Sequence, residues 1–290
     1  MNKVSIRIGT CSWKYPSWDG IVYSSPKPAN YLQEYAEHFN TVEIDQWFWS
    51  LFPGGAVRLP DPRNAGTYAR SVPQDFRFSI KMPNAISLTH YYQRNKTAPL
   101  IENPHFLSPS LLESFLERIS PLGAATGPLF LQFEYLNKRK MPDLETFLRQ
   151  LDRFFQAAPK GLQYGIEIRN PDYLNSTFFT FMGERGLIPV FLQGYYMPPV
   201  QEVIPANIDL LGKTAVIRLH GPDRTEIERV TNKQWNRLAA PRDTDITEVI
   251  EVITALMDRG VSIYLNVNNH YEGSAPLTIA KIRKSFNPST

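Results

Sequence analysis

The sequence predicts an α/β fold, a single (β/α)8 barrel of the TIM type, and three observations support that prediction. Eight short runs of β-branched or aromatic residues recur along the chain, with helix-like segments between them. No Gly-x-Gly-x-x-Gly motif follows any of these runs, which argues against an open dinucleotide-binding sheet. No linker or internal repeat divides the 290 residues, so residues 1–290 are expected to form one TIM-barrel domain.

The predicted strands are the eight β-branched or aromatic runs. Each run is followed by a helical or partly helical segment, so we expect parallel strands that close into a barrel. The runs cover residues 4–9, 41–45, 76–81, 129–133, 164–169, 188–193, 215–220 and 262–266.

Four segments have apolar residues spaced three and four apart, which is the pattern of amphipathic helices. They span residues 31–39, 111–119, 144–155 and 246–258. Three strand-to-helix connections are long, and they contain many of the 24 prolines: residues 82–110, 194–213 and 221–244. Because proline fixes φ and lowers loop entropy, we expect these long loops after strands 3, 6 and 7 to be ordered caps over the carboxyl ends of the strands.

Composition excludes several classes of protein. With 42% hydrophobic and 20% charged residues, the chain is neither disordered nor fibrous. The net charge is +3 without a basic block, so nucleic acid is a disfavoured partner that nevertheless stays open. No apolar run approaches about 20 residues, and the first residues predict a strand rather than a signal peptide. We therefore expect a cytoplasmic protein with no membrane segment.

Six of the predicted strands have a pair of polar residues, two apart, at their carboxyl ends. Side chains two apart on a strand share a face, so each pair is expected to point the same way. Because an unpaired charge is costly to bury, the pairs predict a shared polar chamber; the alternative is a structural ion-pair network that fills the barrel. The pairs are Glu43 and Asp45, Ser79 and Lys81, Gln132 and Glu134, Glu167 and Arg169, Arg218 and His220, and Asn266 and Asn268.

These residue types predict a site for a small, polar and anionic ligand. Lys81 and Arg169 supply donors for a carboxylate or phosphate. Two carboxylates, Glu43 and Glu167, suit an acid and a base, and His220 suits proton transfer. The predicted catalytic residues are Glu43, Lys81, Glu167 and His220, and the predicted ligand-binding residues are Arg169, Arg218, Asn268, Trp13 and Gln132.

No cofactor and no metal site is predicted, because the sequence has no dense ligand motif. The single cysteine, Cys11, excludes an internal disulfide and a multi-thiolate zinc site, and we predict that it is a small buried residue. A divalent metal stays open as the alternative, in a hydrolase that acts on sugar or nucleic-acid phosphates. Its ligands would be Glu43, Glu167, His220 and His270.

A second alternative is a non-catalytic barrel that binds a metabolite or a protein partner through aromatic loops. Four of the five tryptophans follow the first two strands, where they could stack on a ligand or simply pack beneath the loops. They are Trp13, Trp18, Trp47 and Trp49, and Tyr15 and Phe48 accompany them.

A series of short motifs also occurs in a fixed order. It consists of Gly9-Thr10-Cys11-Ser12-Trp13, residues 39–45, residues 76–83, Thr89-His90, Gln132, Glu167-Ile168-Arg169, residues 218–221 and residues 268–273. From residue 6 to about residue 280 the chain resembles the domain of unknown function 72, or YecE-like, family. The resemblance implies a (β/α)8 barrel and implies no activity.

Some positions depart from the pattern of that family. Cys11 stands where serine is more usual, and Asp45 stands where asparagine is. Glu134 stands where proline is often found, and Gln193 stands where aspartate is more usual. The positions that match are Glu43, Lys81, Glu167, Arg169, His220 and Asn268.

Overall fold

Eight parallel strands form a closed barrel in the computed structural model, which describes residues 4–93 and 98–286. Each strand pairs with its neighbours in chain order, and the first strand pairs with the last to close the barrel. The predicted (β/α)8 barrel is therefore confirmed. The strands are β1 (Ile6–Cys11), β2 (Thr41–Ile44), β3 (Arg77–Lys81), β4 (Thr126–Gln132), β5 (Tyr164–Glu167), β6 (Ile188–Gly194), β7 (Thr214–Gly221) and β8 (Ser262–Val267).

Eight α-helices alternate with the strands in the described part of the chain, and two short helices, α3 and α8, are additional. The additional helices lie in the connections after β3 and β7. The full set is α1 (Tyr31–His38), α2 (Pro62–Arg70), α3 (Asn84–Ser87), α4 (Pro109–Ile119), α5 (Leu144–Ala157), α6 (Ser176–Glu184), α7 (Val200–Asn207), α8 (Arg224–Thr231), α9 (Asp243–Asp258) and α10 (Ala275–Phe286).

Parts of three predictions fall outside the described residues. They concern residues 1–3 of the N-terminal segment, residues 94–97 of the connection after β3, and residues 287–290 of the range assigned to one domain. The single-domain assignment of residues 1–290 stays a prediction.

The connections after β6 and β7 are more helical than the sequence predicted. Helix α7 buries Val200, Val203 and Ile204 at helical spacing, but prolines before and inside it hide the pattern. Helix α8 is mostly polar, and its start is fixed by Asp223, whose side chain accepts from the backbone N–H groups of residues 225 and 226. Hydrophobic periodicity alone cannot detect such a helix.

Two apolar regions hold the barrel together. The larger one fills the space between the strands and the surrounding helices. The smaller one lies inside the barrel, where the side chains of adjacent strands meet on the axis. This inner plug consists of Phe130, Ile188, Val190, Val216 and Tyr264. It fills the barrel interior below the carboxyl ends of the strands.

None of the described helices combines the length and the apolar character that a membrane span requires.

Candidate active site

Inward-facing rows of side chains carry polar groups from the plug to the open end of the barrel. On β7, Val216 belongs to the plug, Arg218 comes next, and His220 reaches the cavity above. Phe130 and Gln132 are related in the same way on β4. The two-residue period of a strand thus places the predicted polar pairs on the barrel interior.

Arg218 is the centre of a buried network of ions. Its side chain is 2% exposed, and its Nε and Nη2 donate to the two carboxylate oxygens of Glu43 at 2.7 Å each. Its Nη1 donates to Oε2 of Glu167 at 2.5 Å. Both carboxylates are completely buried. One guanidinium therefore holds two carboxylates beneath the cavity.

Arg169 and Gln132 extend the network towards the cavity. Nε of Arg169 donates to Oε1 of Glu167 at 2.6 Å. Oε1 of Gln132 accepts from Arg169 at 3.3 Å and from Arg218 at 3.4 Å. We call Glu43, Glu167, Arg169 and Arg218 the ion network, and its two carboxylates and two guanidinium groups sum to no formal charge.

The members of the ion network stabilise one another's charged forms. Burial lowers the pKa of Arg218, but the carboxylates of Glu167 and Glu43 outweigh it and hold that pKa well above its usual value. Burial raises the pKa of Glu167, yet Arg169 and Arg218 bring it below its ordinary range. Both groups are therefore ionised at neutral pH.

Lys81 lies above the ion network and is not part of it. It is the last residue of β3, and its Nζ sits 3.6 Å from the centre of the Phe48 ring. Within residues 4–93 and 98–286 it forms no ion pair. Burial and the nearby charge of Arg218 lower the pKa of Lys81 to about 8. The amine is mainly cationic at pH 7 and half neutral one unit higher.

His220 lies against Cys11 and Tyr195. Its Nε2 is 3.7 Å from the Cys11 sulfur, and its Nδ1 is 3.3 Å from the Tyr195 hydroxyl. Burial, followed by the charge of Arg218, holds the pKa of His220 well below its ordinary value, so the imidazole is neutral at pH 7. Burial and the Glu43 carboxylate raise the pKa of Cys11, which is 3% exposed and keeps its proton. Cys11 is a small buried residue, as the sequence predicted.

A cavity of about 620 Å³ opens above the ion network, at the carboxyl ends of the strands. Two predicted catalytic residues, Glu43 and Glu167, lie beneath this cavity and do not line it. Trp13 does not line it either. The other six predicted site residues do line it: Lys81, Gln132, Arg169, Arg218, His220 and Asn268.

Most of the tryptophan-rich stretch packs beneath the first loops. Trp13 is 5% exposed, and its ring meets the edge of Tyr68 at 5.1 Å. Trp47 stacks on the same tyrosine at 5.9 Å. Only Trp49, which is 69% exposed, reaches the cavity from this group of tryptophans. The alternative expectation of packing thus describes Trp13 and Trp47.

Exposed aromatic side chains form the rim of the cavity, and of these only Trp49 was expected from the sequence. Besides Trp49, the rim contains Tyr92, Tyr135 and Tyr196, which are 71%, 52% and 60% exposed. Tyr135 and Tyr196 face each other edge-on at 6.4 Å. Both tyrosines lie just after the carboxyl end of a strand, β4 for Tyr135 and β6 for Tyr196, and this position in the sequence could have identified them as residues near the cavity. We call these four residues the aromatic rim.

Helix α8 supplies one wall of the cavity. Glu228 accepts from Arg224 at 2.6 Å and lies 3.3 Å from Nε2 of His270. Burial and the Arg224 charge lower the pKa of His270 to about 4. This wall was missed because α8 was not recognised from its polar sequence.

The metal ligands of the alternative hypothesis are not brought together. Across the described ranges, no three His, Cys, Asp or Glu side chains form a group that could hold a metal ion. Arg218 lies between Glu43 and Glu167, where a cation bound to both would have to be. His270 is directed to Glu228 instead. The donor set therefore does not fit a divalent metal.

Comparison with known proteins places the chain in a family. The model of the protein family of unknown function DUF72 matches residues 7–290. The UPF0759 protein YecE of Escherichia coli K12 is 29% identical in a match that covers 87% of this chain and 92% of that protein. The corresponding protein of Escherichia coli O157:H7 is 25% identical over the same shares.

Solved structures agree with the barrel. A DUF72 family protein from Enterococcus faecalis V583 has a TM-score of 0.69 at 20% identity, covering 98% of this chain and 96% of that one. A second, from Thermotoga maritima MSB8, has a TM-score of 0.68 at 18% identity, with 98% and 99% covered. At these identities the likeness shows the fold. Since the family model spans nearly the whole sequence, this chain belongs to the DUF72 family.

Proposed function

We propose that this protein is an enzyme that acts on a small anionic metabolite in the cavity at the carboxyl ends of the strands. The observation that carries the proposal is Lys81, a partly buried amine that lines the cavity without an ion-pair partner in the described residues. An anionic ligand would supply the missing counter-charge. Burying an unpaired charge is costly, so the bound anion recovers that cost.

Arg169 is the second donor to the anion. Its Nε and Nη2 are used by Glu167 and Gln132, while Nη1 has no acceptor in the part of the chain that the structure describes. Because the first two bonds fix the plane of the guanidinium, its free edge is oriented before the ligand arrives. Lys81 and Arg169 together would hold a carboxylate or a phosphate.

The ion network gives this site a rigid base. Glu43 and Glu167 are fully buried and bound to guanidinium groups, so their role in the proposal is to position Arg218 and Arg169. This replaces the sequence-based idea that one of them moves a proton. Groups that line the cavity take over that step: His220, which is neutral, and Asp45, whose pKa is raised by burial and by Glu43.

The aromatic rim and Asn268 would orient the rest of the ligand. Half-exposed aromatic rings above a polar cavity give a broad apolar contact for the uncharged part of a metabolite. Asn268 follows β8 directly and lines the cavity. The cavity volume of about 620 Å³ suits a small molecule rather than a polymer.

Thermal unfolding in the presence of anionic metabolites tests this proposal. Carboxylates, phosphates, neutral sugars and nucleotides are added at equal concentration, and the melting temperature is recorded. A ligand at about 100 times its Kd adds about 2.7 kcal/mol to the free energy of unfolding. We expect anions to raise the melting temperature and their neutral counterparts to leave it unchanged.

Two variants make the test specific. Lys81→Met should fold and lose the stabilisation by anions. Lys160→Met removes a lysine that donates to the carbonyl oxygens of Phe155 and Gln156 and does not line the cavity, so it should respond as the wild type does. Equal stabilisation of wild type and Lys81→Met would contradict the proposal. Binding without consumption of any stabilising ligand would favour the non-catalytic alternative over an enzyme.

A further inference from the structure

Lys81 brings its amine to the wall of the cavity. Its Nζ rests on the Phe48 ring, and the two nearby buried carboxylates, Glu43 and Glu167, are already bound by Arg218. Arg218 itself contributes a like charge that disfavours the ammonium form. The ring face of Phe48 favours the ammonium, but partial burial and Arg218 outweigh it. A partly buried lysine beside another cation, with the neighbouring carboxylates already bound, is in the setting that activates amines for covalent catalysis.

We propose that Lys81 forms a Schiff base with the carbonyl carbon of a small anionic carbonyl compound, of which 2-oxo acids are the simplest. The inference rests on the proposed function, since it uses the same cavity and the same anion contact at Arg169. It adds the reacting group of the substrate and a covalent role for Lys81.

The covalent step balances without an oxidant or a reductant. The lone pair of neutral Nζ attacks the carbonyl carbon, the carbonyl electron pair moves onto oxygen, and that oxygen gains a proton as the nitrogen loses one. Loss of the oxygen as water then leaves a C=N bond. Asp45 follows β2, next to β3, and lines the cavity as the candidate proton carrier.

The ionisation of Lys81 favours this step near neutral pH. With a pKa of about 8, half of the amine is neutral at pH 8. An ordinary lysine is on the order of 100-fold less neutral at that pH. The charged groups that face Lys81 are Arg218 on β7, Glu167 on β5, and Glu43 and Asp45 at the end of β2. Lys81 should therefore react well before the surface lysines.

Reductive trapping tests the proposal. The purified protein is incubated at pH 7.5 with glyoxylate or pyruvate and sodium cyanoborohydride, which reduces an imine to a stable secondary amine. Intact mass should increase by one ligand less one oxygen atom, and peptide mapping should place the adduct on Lys81. Propionate, which is anionic but lacks a ketone or aldehyde carbonyl, should give no adduct.

Two variants separate the amine from the charge. Lys81→Arg keeps the cation and removes the nucleophile, so it should lose the adduct. Lys160→Arg changes a lysine after α5 that does not line the cavity, and it should be labelled like the wild type. Labelling of Lys81→Arg to the same extent, or an even spread over surface lysines, would overturn the Schiff base.

A second readout distinguishes failure of this inference from failure of the proposed function. Melting temperatures are measured with the same compounds in the absence of reductant. Stabilisation by pyruvate and propionate without any adduct on Lys81 would overturn the Schiff base and leave anion binding intact. Absence of both the adduct and the stabilisation by any anion of the panel would overturn both proposals.

Discussion

At the scale of single residues, Arg218 has the largest structural role in the site. Its guanidinium compensates two carboxylates that have no access to water, so each of the three side chains depends on the others. Replacing a whole buried ion network with apolar groups can be neutral, but removing one member leaves a buried charge without compensation. The stability of the barrel should therefore be sensitive to this one residue.

We expect Arg218→Met to lower the free energy of unfolding by about 3–5 kcal/mol, measured by urea denaturation. The control is Arg149→Met, which breaks the exposed pair with Glu145 and should cost less than about 0.5 kcal/mol. Adding Glu43→Gln to Arg218→Met should recover part of the loss, because one buried charge is then removed. Equal stability of Arg218→Met and the wild type would contradict the role assigned to Arg218.

The two-residue period of strands predicted much of the site at this scale. It identified Lys81, Arg169 and His220 as side chains that share one chamber, and all three line the cavity. The two-residue period does not indicate how far along the barrel axis a side chain lies. Glu43 was expected to line the cavity, but it lies beneath it. The partner that holds Glu43 there is Arg218, 175 residues away in the chain, and no local pattern reports such a contact.

At the scale of elements, strands were easier to predict than the short helices that surround the cavity. Buried parallel strands are continuous β-branched or aromatic runs, which is a strong local signal. Helix α8 has only Ile227 and Thr231 buried, and it is held by ion pairs within its own turns. Because α8 lacks a long apolar face, its sequence does not show the periodicity of an amphipathic helix. The cavity wall formed by α8 was therefore not predicted.

The close contact between the carboxyl ends of β6 and β7 determines the orientation of His220 and Tyr195. Gly221 has φ +74°, and a Cβ at this position would lie 2.5 Å from the carbonyl oxygen of His270. Gly194, with φ +135°, approaches Gly221 just as closely. Glycine at both positions lets the carboxyl ends of the two strands turn next to each other, with the imidazole and the phenol in contact.

We expect Gly221→Ala to lower the free energy of unfolding by about 2–4 kcal/mol, because it combines a left-handed backbone with an overpacked contact. Anion-dependent stabilisation should weaken as well, since His220 is displaced. Gly212→Ala is the matched control, because a Cβ there would meet no atom within 4 Å. Urea denaturation of the two variants gives the comparison, and equal stability of both would refute the argument.

At the scale of the whole molecule, the barrel separates stability from function along its axis. The apolar plug closes the amino-terminal half, the ion network lies across the middle, and the cavity with its aromatic rim occupies the open end. The ion network therefore contributes to both stability and function. It covers the apolar plug below, and its Arg169 lines the cavity above. This arrangement predicts that the whole fold responds to pH through groups at the site.

We expect the free energy of unfolding to fall as the pH is lowered from 7 to 5. The unfolded chain protonates its histidines near pH 6.5, whereas burial keeps the pKa of His220 far below that and the pKa of His270 at about 4. The unfolded state therefore binds more protons, and acid favours it. At still lower pH the lowered pKa of Glu167 acts in the same direction, and the raised pKa of Asp45 acts in the opposite direction.

His220 and His270, left neutral between pH 6.5 and 5, correspond to a loss of about 4 kcal/mol, and the pKa of His90, lowered by burial, adds to it. Urea denaturation at pH 7.5, 6 and 5 measures this loss. His220→Gln cannot be protonated at that position, so it should show a smaller pH dependence than the wild type, by about 2 kcal/mol over this range. His38→Gln, at an exposed histidine of α1, should leave it unchanged. The same pH dependence in His220→Gln and the wild type would mean that His220 is not held neutral, and its role as a proton carrier in the cavity would lose its basis.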